Sequence, residues 1–141
     1  MKVELSGALA PEIRRFYEVR GQAWLDGDVA KVAGFYNVPL TKLASGRPLL
    51  LETPEAIVAA TLEDMARWHP QPGGTDFATQ LSAPETARSA VVHVLWGGWS
   101  VSLPNGRIVH APECIYILGK PDSEWRIMMV TADWKAVAAA T

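Results

Sequence analysis

One cysteine, Cys114, stands in the 141-residue chain. No intrachain disulfide can form, and a reducing, cytoplasmic setting is the expectation. Histidines number 3 and are dispersed, so no cluster has metal-ligand spacing and no metal is expected. There is no basic block, and the formal net charge is −2, which argues against a nucleic-acid partner. No apolar run approaches the ~18 residues of a membrane span. The stretch "MKVELSGALAPEIRR" lacks the continuous apolar core of a secretory leader, so neither a membrane partner nor a leader is expected. Internal repeats and low-complexity linkers are also missing. What remains is ordinary for a folded domain: 49% hydrophobic and 20% charged residues. The length fits a single domain over 1–141. A chain of this size buries roughly 68–70% of its unfolded surface and needs no staple.

The first half reads as helical. "PEIRRFYEVRGQAWLDGD" opens on Pro11, a favoured first helical residue. Ile13, Phe16, Tyr17, Arg20 and Trp24 follow at three- and four-residue steps, on one face. Gly27 suits a left-handed stop, and Asp28 suits the cap of a short second helix, "VAKVAGFY", limited by Pro39. "VPLTKLASGRPLLLE" reads as two short strands around Ser45-Gly46. Thr53-Pro54 caps and starts a third helix with an apolar stripe of Val58, Leu62 and Met65, ending near "HPQPGG". The second half reads as strands over roughly 76–83, 88–103, 107–118 and 124–134. Asn105-Gly106 signals a two-residue hairpin turn. Helices followed by an antiparallel meander predict an α+β fold.

Within this order, "WLDGDVAKVAGFY" and "EWRIMMVTADW" resemble the NTF2-like superfamily, the cone-shaped fold of ketosteroid isomerases, SnoaL-like polyketide cyclases and scytalone dehydratase. The first segment is similar to the family's helix, Gly-Asp, helix, Tyr run. The second is similar to its last strand, which commonly begins with a Trp-Arg-Ile triplet. The resemblance spans nearly the whole chain. It implies three N-terminal helices packed on a strongly curved antiparallel sheet that encloses a pocket. It marks a scaffold rather than a reaction, because members include enzymes, binding proteins and assembly domains. Two departures from the isomerases stand out. Arg20 occupies the position of their first-helix tyrosine, and "VPLTKLA" holds no carboxylate where their general base stands, so proton abstraction by that group is not available.

By alternation His110, Cys114, Tyr116 and Leu118 share one strand face. The resemblance places Tyr116 near a second oxyanion donor, Tyr36 at a common pocket tyrosine, and Trp134 at the last-strand pocket tryptophan. Met128, Val130 and Ala132 would line the same wall as Trp134. Tyr116 could donate to a developing oxyanion, and His110 could act as acid or base near neutral pH. An ordinary structural hydrogen bond is the competing role for each. Tyr17 and Arg20 sit on the helix face that meets the pocket. An arginine there must find a carboxylate, Asp133 or Glu113, or else an anionic ligand; the residues favour the ion pair. Cys114 has no activating basic neighbour and reads as a small wall residue. A two-residue turn pairs His110 with Val101 and His93 with Leu118. That sets the two histidines roughly 26 Å apart at ~3.3 Å per residue, too far to share a metal.

Strict alternation puts Trp96 and Trp99 on opposite faces of "VVHVLWGGWSVS". A bulge at Gly97-Gly98, which the glycine pair predicts, puts both on one face with Val101, and hence His110, and turns His93 away. Both faces of the last two strands are apolar, which predicts a homodimer through the outer sheet face. The expected function is binding of a small hydrophobic or aromatic molecule, with Arg20, Tyr17, Trp96, Trp99, Cys114, Val130 and Trp134 around it. His110, Tyr116 and Tyr36 would supply acid–base isomerase, dehydratase or cyclase chemistry with no cofactor. A non-catalytic carrier or interaction module is the alternative.

Overall fold

Pro11 opens α1 (Pro11–Leu25), which buries Ile13, Phe16, Tyr17 and Arg20 on one face. The chain turns out of it at Gly27, whose φ of 68° is the left-handed geometry glycine adopts without penalty. Asp28 caps α2 (Val29–Gly34), its carboxylate accepting from the Lys31 N–H at 3.1 Å. Thr53 caps α3 (Pro54–Arg67) in the same way, accepting from the Ala56 N–H at 3.1 Å. The computed structural model describes residues 5–44, 47–82 and 88–132.

Ten strands complete these residues: β1 (Leu5–Ser6), β2 (Tyr36–Ala44), β3 (Arg47–Leu51), β4 (Trp68–Pro70), β5 (Asp76–Gln80), β6 (Ser89–Leu95), β7 (Trp99–Ser102), β8 (Ile108–His110), β9 (Glu113–Gly119) and β10 (Arg126–Ala132). A seven-stranded sheet runs β1-β5-β6-β9-β10-β2-β3, and a three-stranded sheet runs β4-β7-β8. The fold is α+β, but the large sheet is mixed rather than antiparallel: β10 pairs with β2, and β1 with β5, in parallel. Both parallel pairs join segments far apart in sequence, where no hairpin turn dictates opposite directions.

Two of the long strands expected from sequence are each broken into two. Residues 88–103 divide into β6 and β7 at Trp96–Gly98, and residues 107–118 divide into β8 and β9 at Ala111–Pro112. The turn between β7 and β8 spans three residues, because the Leu103 N–H donates to the Arg107 carbonyl at 2.7 Å. Gly106, at φ 85°, takes the left-handed place that such a loop needs. This one extra residue moves the register. His110 faces Ser100 instead of Val101; the break at Trp96–Gly98 opposite Pro112 adds a further shift of two, so His93 faces Ile115 instead of Leu118.

Alternation also fails in β10. The register shifts between Ile127 and Met129, so Ile127 and Val130 both point inward while Met128 leaves their face. Met128 packs against Gly119, where an added Cβ would lie 2.8 Å from its Cγ. The apolar stripe expected on α3 differs as well. Val58 and Leu62 are exposed, and the buried face carries Ile57 and Thr61. Asp64 lies on that same face, seven residues after Ile57. Thr61 keeps its hydroxyl satisfied by donating to the Ile57 carbonyl at 2.8 Å.

Helix α1 meets the large sheet through Tyr17. Its ring packs edge-on against Tyr116 at 5.4 Å and against Phe16 at 5.2 Å. These contacts join the hydrophobic cluster formed by Val92, Val94, Leu118 and Ile127 from the sheet and Ile13 and Ile57 from the helices. Burying each such aliphatic side chain contributes about 1.5–3 kcal/mol.

Candidate functional site

The site is built around the double glycine. Leu95 pairs with Glu113, and the Ala111 N–H donates to the Trp99 carbonyl at 3.1 Å. Between those two rungs Trp96, Gly97 and Gly98 stand opposite Pro112 alone, so the β6–β7 side carries an excess of residues. The inward positions are therefore Val92, Val94 and Trp96 before the bulge, and Trp99 and Val101 after it. Both tryptophans are buried and line one cavity.

Glycine is required at this bulge because two backbone segments touch. A Cβ on Gly97 would lie 2.3 Å from the Thr75 carbonyl oxygen, and one on Gly74 would lie 2.4 Å from that of Gly97. Asp76 fixes the loop from the neighbouring strand. Its carboxylate accepts from the Gly98 N–H at 2.9 Å and from the Trp99 indole N–H at 3.3 Å. Burial pushes the Asp76 carboxyl up from its ordinary value, and those two donors pull it back.

The cavity measures about 40 Å³. Trp24, at the end of α1, and Trp68, at the end of α3, join Trp96 and Trp99 in its wall. Their rings contact one another edge-on or tilted at 6.0–6.4 Å. Trp24 and Trp68 are half-buried, which sets them nearer the opening. Val130 and Ala132 of β10 and Cys114 and Tyr116 of β9 complete the lining.

Arg20 is the charged group inside. Its side chain is 3% exposed, and its guanidinium carbon lies over three rings, Tyr36 and Tyr116 at 5.4 Å and Trp24 at 5.8 Å. Nη2 donates to the Tyr36 hydroxyl at 2.6 Å. Removing such a charge from water costs several kcal/mol. Three desolvated ring contacts, each worth up to about 2 kcal/mol, offset much of it. Burial opposes the Arg20 charge most strongly, and the oxygens of Tyr36, Tyr116 and Tyr17 outweigh it, so the guanidinium stays protonated with its pKa above the ordinary value.

Of the two carboxylates expected to pair with Arg20, Glu113 does not reach it. Glu113 faces the outer side of the sheet and pairs with His93 at 2.9 Å. Asp133 lies outside the described residues, and among those described no carboxylate lies within ion-pair distance of Arg20. Its Nε is buried without a hydrogen-bond partner. The cavity's other charges, Lys42 of β2 and Asp64 of α3, pair with each other at 2.9 Å.

The neutral polar groups are Tyr36, Tyr116 and Cys114. Tyr116 accepts from the Trp96 indole N–H at 3.2 Å. Burial raises its hydroxyl well above the ordinary tyrosine value, so it is a neutral hydrogen-bonding group. The Cys114 thiol is pushed up to about 11, chiefly by burial, and is no nucleophile at neutral pH.

His110 does not reach the cavity. It is exposed on β8 opposite Ser100, because the left-handed Ala111 (φ 52°) and Pro112 break the alternation that would have put it beside Cys114. Val109 takes the inward place. Tyr17 is buried behind the wall against Trp96 and Tyr116 rather than on its surface. Trp134 lies outside the described residues. Sequence reading missed Trp68, Lys42, Asp64 and Asp76, and left Trp24 as a helix-face residue. Trp24 sits four residues after Arg20, a signal that was available; Asp64 was hidden by reading α3 through Val58 and Leu62. Among the described residues no three His, Cys, Asp or Glu side chains gather as a metal site, and no helix is long and apolar enough to cross a membrane.

No family model matches the chain, and no curated protein does. Solved structures do match. An NTF-2 like protein of unknown function from Shewanella oneidensis is 18% identical over 86% of this chain and 96% of its own, with a TM-score of 0.58. A ketosteroid isomerase-like protein from Erwinia carotovora atroseptica is 13% identical over 86% and 92%, with a TM-score of 0.58. The chain has the NTF2-like fold. A domain of unknown function with a cystatin-like fold from Nostoc punctiforme is 16% identical over 89% of this chain and 78% of its own, with a TM-score of 0.57. At these identities the NTF2-like likeness concerns backbone architecture, and function has to be argued from the cavity.

Proposed function

We propose that this NTF2-like chain binds a small hydrophobic or aromatic molecule in the tryptophan-walled cavity, between the helices and the sheet. The observation that carries the reading is the convergence of Trp24, Trp68, Trp96 and Trp99, from three separate segments, on one cavity. Two of these rings meet there only through a glycine bulge anchored by the buried Asp76. Aromatic walls with a few placed polar groups suit a small-molecule site. Tyr36 and Tyr116 are placed to hydrogen-bond a ligand carbonyl.

The carrier form of this reading is favoured over acid–base catalysis. His110 points to solvent, the Cys114 thiol and Tyr116 hydroxyl stay protonated, and the cavity's carboxylate, Asp64, is engaged by Lys42. Titration with a panel of small aromatic acids and amides, read by tryptophan indole N–H resonances, tests the site. Saturable shifts support it, and their absence across the panel contradicts it.

We further propose that a second copy of the chain covers the outer face of the large sheet. Phe77, Leu95, Ile115 and Ile117 are exposed there on adjacent strands. The His93–Glu113 pair lies among them. A two-fold axis through this face would offer each copy's His93 to the other's Glu113, which is self-complementary in charge.

A further inference from the structure

We propose that the ligand is a small apolar monocarboxylate, its carboxylate held by Arg20 and Tyr36 and its body among the tryptophans. This rests on the reading of the cavity as a ligand site. Among the described residues the cavity carries one uncompensated charge. Arg20 is buried in it, Lys42 and Asp64 cancel at 2.9 Å, and Glu113 is spent on His93 at the outer face.

The donors are also left over. Nη2 of Arg20 is bonded to the Tyr36 oxygen, while Nε has no partner. The Tyr36 hydroxyl accepts that bond, and among the described residues its own proton meets no acceptor. A carboxylate beside this edge would take the Nε–H and the Tyr36 O–H together. Charge-assisted bonds of that kind are the strong ones, and a planar carboxylate matches the guanidinium fork.

Charge and size narrow the class further. A monoanion neutralises Arg20, whereas a phosphate dianion would leave a net negative charge among indoles. A cavity of 150 Å³ accepts benzene and one water needs roughly 10–15 Å³. At about 40 Å³ the cavity has room for a carboxylate group, and the body of a short-chain acid extends toward the opening. A single-ring acid enters when the half-buried Trp24 or Trp68 at the opening swings aside.

The experiment compares acids with their uncharged amides on the full chain. Butyrate, butyramide, benzoate, benzamide and inorganic phosphate are titrated at neutral pH while tryptophan emission is followed. The expected result is that at least one acid binds at least about tenfold tighter than its amide, and that phosphate gives no saturable change. In Arg20→Met that preference is lost while amide binding stays within about threefold. The ligand-free Tm of Arg20→Met is expected to equal or exceed that of the wild type, since an unpaired buried charge has been removed. An amide that binds as tightly as its acid overturns the carboxylate assignment and leaves the ligand site standing. Saturable phosphate binding tighter than either acid overturns it too. No saturable binding by any probe overturns both readings. The acid–amide comparison on the wild-type chain decides even where Arg20→Met fails to fold.

Discussion

At Cys114 the chemistry follows from burial alone. The thiol is enclosed in the cavity wall, and its pKa of about 11 leaves roughly one thiol in a thousand ionised at pH 8. Native protein should therefore react with iodoacetamide at pH 8 at least about a hundredfold more slowly than the same chain in urea, followed by mass spectrometry; equal rates would contradict an enclosed thiol. The identity of such residues was legible in part. Arg20 stood out because an arginine on an apolar helix face needs a counter-charge or a ligand. Its aromatic surroundings were not legible, since Tyr36, Tyr116 and Trp24 come together only through the tertiary fold. His110 shows the opposite failure: alternation predicts its direction only while the strand is unbroken, and Ala111 breaks it.

Bulges decide the site at the level of elements. The Gly97-Gly98 pair marked its own irregularity in the sequence, because two glycines inside a strand pattern serve close backbone approach. The three-residue turn at Pro104–Gly106 and the bulge at Met128 carried no such mark, and each moved a register by one residue. Close approach makes a quantitative prediction. Gly97→Ala places a methyl group against the Thr75 carbonyl and should lower stability by roughly 2 kcal/mol or more in urea unfolding. Gly34→Ala, at the end of α2 with open space around it, should be neutral or raise stability by up to about 1 kcal/mol. Equal effects at the two positions would mean that the bulge is not tightly packed. Helix α3 illustrates the same point: Val58, Leu62 and Met65 form a plausible stripe, but a helix laid over a sheet turns to the face that buries best, here Ile57 and Thr61.

For the whole molecule, the α+β class and helix order were readable from caps, breakers and periodicity. The parallel pairing of β2 with β10 was not, because nothing local links strands so distant in sequence. The outer sheet face was readable as apolar from the alternation of Ile115 and Ile117 with Cys114 and Tyr116. Light scattering is expected to give the mass of two chains, and Ile117→Lys, at the middle of the face, should give one. A wild-type mass of one chain at tens of micromolar would remove the proposed interface. The proposed dimer interface and the proposed ligand site lie on opposite faces of the same sheet, so Ile117→Lys should leave the cavity's ligand affinity within about threefold.

The central claim is that the tryptophan-walled cavity is a ligand site. The sequence holds 6 tryptophans, of which Trp24, Trp68, Trp96 and Trp99 line the cavity and Trp125 lies apart beneath Lys120. The decisive measurement is a benzoate titration followed by the assigned indole N–H resonances. Saturable shifts of the four cavity indoles with one common dissociation constant are expected, with no shift at Trp125. Shifts at Trp125 without the cavity set, or no saturable shift at any indole for this acid and the other members of the panel, would contradict it.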